Sequence, residues 1–190
     1  MIGIIILVLL VFLAIGAALY FVSVYNALIV VSRNIDKAWA NIDVLLKQRH
    51  DEIPKLIKIC EGYMKYERET LEKITAARTA CIQAKGVGSQ AQKEGDLTGL
   101  LKTLFAVAEN YPDLKANQNF LQLQQRVSHL ESQIADRREF YNDSVNTYNI
   151  RINQIPDMWI AGSLSMTARD FFKISEEDKK DADIAFNFPK

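Results

Sequence analysis

Charge is missing from one end of this chain: residues 1–32 contain no Asp, Glu, Lys, Arg or His, and residues 2–22 are almost wholly aliphatic. A water-facing surface is excluded there, because a run of about 20 apolar residues matches the thickness of a hydrocarbon core. The basic start of a secretory leader is lacking too, and Ala14, Gly16, Ala17 and Ala18 offer only a diffuse cleavage site followed by more apolar sequence. The expectation is a retained anchor. Excess charge of either sign is also lacking, with 23 basic and 23 acidic residues. Nothing is left over to hold a phosphate backbone, so nucleic acid is not an expected partner. Cysteine and histidine are scarce, at two each. Cys60 and Cys81 fall in what reads as one helix, roughly 30 Å apart at its rise per residue, beyond disulfide reach. Free thiols in a reducing compartment are expected, core-packed rather than nucleophilic.

Proline is sparse as well, and no Pro or Gly interrupts the chain between Gly16 and Pro54. Beyond the apolar run, Leu28, Ser32, Ile35, Trp39, Ile42, Leu46 and Arg49 recur at steps of three and four, so one helix is expected to run from the membrane into a soluble domain. His50, Asp51, Glu52 and Pro54 read as a turn, with Asp51 as a helix cap. A second helix carries Ile53, Leu56, Cys60, Tyr63, Leu71, Ile74 and Cys81, with Glu67 and Arg78 in phase, and ends near Lys85. Residues 86–99 hold four of the eight glycines and read as the one clear loop, followed by a short apolar helix that ends before Pro112. The most regular pattern is last: Phe120, Val127, Ile134, Tyr141, Tyr148 and Ile155 are seven apart, with a companion stripe of Leu123, Leu130, Val145 and Ile152, as in a bundle or coiled-coil helix. After Pro156, Met158, Trp159, Ile160, Leu164, Phe171, Phe172 and Ile174 predict a short amphipathic helix docked on the bundle. A charged run over 176–183 then leads to Phe186, Phe188 and Pro189.

Chemistry is thin. His50 and His129 lie apart with no His or Cys at ligand spacing, so no metal site is expected. The Gly86 loop has no preceding strand and no following Gly-Lys-Ser, so no phosphate cradle forms. No catalytic and no cofactor-binding residues are assigned. The Asn142-Asp143-Ser144 glycosylation pattern falls on a helix and carries no weight. Polar residues at Glu67, Arg78 and Arg137, where aliphatics belong, predict that a carboxylate–arginine pair, such as Glu67 with Arg137 or Arg138, bridges helices. Ala14 and Ala18 permit close helix approach within the bilayer. Tyr20, Tyr25 and Trp159 are interfacial candidates, with docking on the bundle the simpler reading for Trp159.

Three ordered blocks carry a resemblance. The first runs Tyr25-Asn26, Arg33-Asn34, Ala38-Trp39, Ile42-Asp43, Leu46, Arg49, Ile53-Pro54, Tyr63, Glu67 and Ala77-Arg78. The second is Glu109-Asn110-Tyr111-Pro112-Asp113-Leu114-Lys115-Ala116, then Asn119-Phe120 and Leu123-Gln124. The third is Arg137-Arg138, Tyr141-Asn142, Val145 and Tyr148-Asn149 before Pro156. With these blocks the chain resembles the bacterial LemA family, departing from it at Ile155-Pro156, where the family has Phe-Pro. The resemblance implies an all-α single-pass membrane protein whose N-terminal transmembrane helix continues into an antiparallel bundle of about four helices. It also implies no established enzymatic activity and no catalytic residues to carry over. Some members of the family are associated with magnetosome formation, and others appear beside membrane-linked proteases or TPM-domain proteins.

The combined expectation is an anchor at 1–24, a helical bundle at 25–156 and an amphipathic, charged tail at 157–190 that packs on the bundle or a neighbour. Arg33, Lys37, Lys47 and Arg49 follow the anchor, which by the positive-inside rule puts the N-terminus outside and the C-terminal domain in the cytoplasm, at the bacterial inner membrane. The Tyr-Asn pairs of the last helix are expected to set helix register rather than to bind a ligand. The expected function is a non-enzymatic membrane scaffold, with the bilayer and further copies of itself as partners. The alternative is an accessory subunit or regulator of a membrane enzyme such as a protease.

Overall fold

A computed structural model describes residues 1–173, and every regular element among them is helical. The elements are α1 (Ile2–Tyr63), α2 (Arg68–Gln83), α3 (Val87–Ala108), α4 (Pro112–Lys115), α5 (Gln118–Arg151) and α6 (Asp157–Ser163). The all-α expectation holds, including an N-terminal helix long and apolar enough to cross a membrane. The expected features at Ile174, 176–183, Phe186, Phe188 and Pro189 lie outside the described residues.

Two compact units form, one from Met1–Asn41 with Glu139–Asp170 and the other from Ile42–Arg138 with the chain from Phe171. In the first, the side chains of 2–22 are exposed, and burial on α1 begins at Val24 and continues through Leu28, Ile35 and Ala38. The spacing is helical, so these residues share one stripe. Tyr141, Val145 and Tyr148 of α5, Ile152 just beyond it, and Ile160 and Ala161 of α6 are buried in the same unit. Trp39 and Tyr141 pack with ring centroids 5.6 Å apart. The Tyr141 hydroxyl donates to the Asp170 carbonyl at 2.9 Å. Asn149 grips the backbone of Arg169 on both sides, donating to its carbonyl at 3.0 Å and accepting from its N–H at 2.9 Å. Tyr141 and Asn149 thus pin the returning chain to α5, a structural use of both side chains.

In the second unit a continuous core joins Ile53, Leu56 and Cys60 of α1, Met64 just after it, Leu71, Ile74 and Cys81 of α2, Leu97, Leu101 and Leu104 of α3, and Phe120 and Val127 of α5. Four local expectations change here. First, α1 does not turn at His50–Pro54; it runs through Pro54 to Tyr63. Proline removes the N–H that would bond the carbonyl four residues back, here that of His50. Arg78 of α2 supplies the missing donor, with Nε 2.7 Å from the His50 carbonyl oxygen. Second, the chain reverses at Met64–Glu67, so Cys60 and Cys81 lie on different helices; both are buried and unpaired. Third, residues 86–99 are not a loop. Only Gly86, at φ +82°, breaks the chain, a conformation that favours glycine, and α3 begins at Val87. Ala91, Glu94, Gly95, Leu97, Leu101, Leu104 and Ala108 line its buried face at steps of mostly three and four. Fourth, α5 stops at Arg151, leaving Ile155 exposed, and the expected tail helix is the short α6, with Phe172 buried in irregular chain beyond it.

Candidate functional site

The second unit encloses a cluster of charged side chains. Arg49 lies on the buried stripe of α1 with Ile42, Leu46, Ile53 and Leu56, and is itself only 1% exposed. Its guanidinium pairs with Glu94 of α3 through Nη2 and with Glu131 of α5 through Nη1, and Nη1 also donates to Thr98 Oγ1 at 2.9 Å. The Nε2 of His50, next on α1, hydrogen-bonds Glu94 Oε2 at 3.2 Å and lies 3.0 Å from Oε1, which has no hydrogen-bond partner among the described residues. One guanidinium therefore ties three helices, and two carboxylates compensate its buried charge. Glu52, also buried, adds a further bridge by accepting from Arg126 at 3.2 Å and Lys55 at 3.1 Å.

Burial raises the affinity of the Glu94 carboxyl for its proton, but the His50 hydrogen bond and the Arg49 charge outweigh it and hold the group below the ordinary 4.5. Cys81 behaves oppositely: burial, then the neighbouring Glu94 charge, pushes its thiol up to about 12. Burial likewise raises Cys60 to about 11. Neither thiol is a thiolate at neutral pH, so neither is poised as a nucleophile.

His50, Cys81 and Glu94 bring ligand atoms within 4.8 Å of one another, a donor set that zinc accepts. The sequence offered no such juxtaposition, because the three residues come from three helices. Glu94 Oε2 is hydrogen-bonded to Arg49 and His50 and the thiol is protonated, so a cation held by all three residues has to displace the His50 bond and the thiol proton. Beside the cluster lies a cavity of about 270 Å³ whose lining includes Lys102, Arg138 and Phe172.

The expected pairing of Glu67 with Arg137 or Arg138 is not formed among the described residues. Glu67 accepts instead from the Tyr111 hydroxyl at 3.4 Å, while Arg137 is exposed. The interhelical arginine pair exists, but on Arg49. The periodicity placed Arg49 on the stripe; its partner Glu94 was hidden in a segment whose glycines read as a loop. The second 3.6-period signal, Ala91, Glu94, Leu97, Leu101, Leu104 and Ala108, was the one that would have found it. His129 is exposed and far from this role. Tyr63 and Glu67 of the first sequence block meet the region of the second, through Asn117 on the Tyr63 hydroxyl at 3.0 Å and Tyr111 on Glu67.

Residues 38–186 match the model of the LemA family. Protein LemA of Metamycoplasma hominis is 28% identical over 169 residues, covering 87% of this chain and 77% of that protein. Magnetosome protein MamQ 1 of Paramagnetospirillum magneticum is 25% identical over 175 residues, covering 78% of this chain and 64% of the relative. Magnetosome protein MamQ of Magnetospirillum gryphiswaldense is 23% identical over 163 residues, 72% of this chain and 60% of the relative. The chain thus spans less than two thirds of the length of these magnetosome proteins.

Proposed function

The chain belongs to the LemA family, and on that premise we propose that it is a non-enzymatic, membrane-anchored scaffold that associates with further copies of itself. Residues 1–24 serve as the anchor, 25–156 as the bundle, and 157–190 as a tail that packs on the bundle or a neighbour. The location is the bacterial inner membrane, with the N-terminus outside and the helical domain in the cytoplasm, the side favoured by Arg33, Lys37, Lys47 and Arg49.

The observation that carries this reading is the exposure of residues 2–22 on a helix that continues without a break to Tyr63. So large an apolar surface suits a hydrocarbon environment and supports this reading. The buried polar groups meanwhile serve packing: Glu94 and Glu131 both meet the Arg49 charge, and among the described residues no activated nucleophile stands beside them. Relatives named for the magnetosome fit a protein that works as part of an assembly. Two differently tagged full-length copies, expressed together, test this reading: both tags are expected in the carbonate-resistant membrane fraction, each recovering the other from mild detergent. Recovery of each tag alone contradicts self-association.

A second reading, an accessory subunit of a membrane enzyme such as a protease, draws support from an open groove of about 550 Å³ at the end of α1 and along α2. Ile57, Met64 and Leu71 line it, with Glu61, Lys65, Arg68 and Glu72 at its edges. An apolar floor with charges of both signs around it suits a protein segment.

A further inference from the structure

Within the unit formed by Met1–Asn41 and Glu139–Asp170, contacts earlier on α1 fall later on α5, so the two helices run antiparallel. Trp39 packs on Tyr141, and Arg169, held by Asn149, reaches Asp36 at 3.4 Å. Counting equal numbers of residues away from the Trp39–Tyr141 pair sets Leu28 level with Ile152, and both are buried. α5 ends one residue before Ile152, at Arg151, and by Arg169 the chain is back on Asn149, so the turn over 152–156 and α6 lie at the end of α5. The end of α5, with the turn and α6 that follow it, therefore lies near the level where the buried stripe of α1 gives way to its exposed apolar segment.

The surface at that level is apolar and uncovered. Ile155, Met158 and Trp159 are 69%, 40% and 66% exposed, and on α1 Tyr20 and Tyr25, either side of Val24, are exposed too. Trp159 is thus not docked on the bundle. Free charge is missing from the same level. Before Arg33, α1 carries none, and between Asp143 and Arg169 the chain has only Arg151 and Asp157. Those two are spent on each other: Arg151 Nη2 and Nε lie 2.7 and 2.8 Å from Asp157 Oδ2. Tryptophan and tyrosine with exposed aliphatics, and the one ion pair closed on itself, are the composition of a surface at the boundary of headgroups and acyl chains. A protein-binding face in water keeps a charged or polar rim.

We propose that α6 and the turn before it form a lipid-contact surface, with Ile155, Met158 and Trp159 seated at headgroup level in the bilayer that α1 crosses. The inference rests on the reading of residues 2–22 as membrane-spanning. It gives the helical domain a second, non-covalent hold on the membrane, and one that is indifferent to lipid charge because Arg151 is already paired.

The test is tryptophan fluorescence of the full-length chain in phosphatidylcholine nanodiscs whose acyl chains carry bromine either near the headgroup or near the bilayer centre. Trp39 and Trp159 are the two tryptophans, so the difference between the wild type and W159F isolates Trp159. A second variant, F12W in the W159F background, reports on the anchor. The expected result is strong quenching of Trp159 by shallow bromine and little by deep bromine, unchanged when anionic lipid is added, with deep quenching of the F12W reporter. Deep quenching of that reporter alongside an unquenched Trp159 overturns the lipid contact while leaving the anchor intact. A Trp159 that is blue-shifted yet unquenched assigns the face to another protein chain and overturns it equally. Failure to quench the F12W reporter overturns the spanning reading, and the lipid contact with it.

Discussion

Arg78 donates its Nε–H to the carbonyl of His50 at 2.7 Å, replacing the backbone donor that Pro54 lacks. The consequence is a proline inside a long helix without a break in its course. It also makes a surface-type residue of α2 a determinant of the geometry of α1, next to the buried Arg49 cluster.

Replacing Arg78 with Met leaves that carbonyl unsatisfied, and the cost is expected at about 1–3 kcal/mol. Pro54→Ala restores the backbone N–H. In a double-mutant cycle followed by unfolding of the detergent-solubilised protein, R78M is therefore expected to cost less in the P54A background than in the wild type. Equal costs in the two backgrounds rule out the proposed substitution of donors.

The Arg49 pairings lead to a larger effect. Arg49→Met strands the Glu94 carboxylate in the interior, and loss of one partner from a buried pair costs about 3–5 kcal/mol. Glu131 is a quarter exposed and is relieved by water, so E131Q is expected to be milder than E94Q. Melting temperatures of the three variants give the order; an R49M protein as stable as the wild type removes the cluster from any structural role.

Stability against acid follows from Glu94. Its folded-state value lies below the ordinary 4.5, so the unfolded chain takes up the proton first. The stabilisation is fully present above that ordinary value and declines as pH falls from there through the lowered one. Unfolding free energy measured from neutral pH downward should fall less steeply in E94Q than in the wild type; matching slopes assign the acid sensitivity to other carboxylates.

The two thiols supply a further check. With Cys81 pushed up to about 12 and Cys60 to about 11, both buried, maleimide at neutral pH is expected to label neither in the folded protein and both in denaturant. Metal analysis of the purified protein should show no stoichiometric zinc, because binding at His50, Cys81 and Glu94 requires His50 to leave Glu94 and Cys81 to lose its proton. Fast labelling of folded Cys81, or one zinc per chain, shows that the cluster opens.

Sequence periodicity revealed α5 well, since Phe120, Val127, Ile134, Tyr141 and Tyr148 are all buried and their spacing is set by the helix alone. Pro54 was opaque for the opposite reason: local rules end a helix there, and the donor that permits it arrives from Arg78 on another element. Glycine composition hid α3, although each glycine costs only about 1 kcal/mol in a helix, less than burying Leu97, Leu101 and Leu104 returns. Glu94 vanished with that helix, and the ion cluster with Glu94. Trp159 needed the antiparallel alignment of α1 and α5 before its exposure had meaning.

The central claim is that this chain acts by assembling at a membrane, and the mass of the full-length protein in native nanodiscs, with all co-purifying chains identified, addresses it most directly. A homogeneous particle holding several copies of this chain and no other protein at fixed ratio is the predicted result. A single copy bound in fixed stoichiometry to another membrane protein contradicts it and establishes an accessory subunit instead.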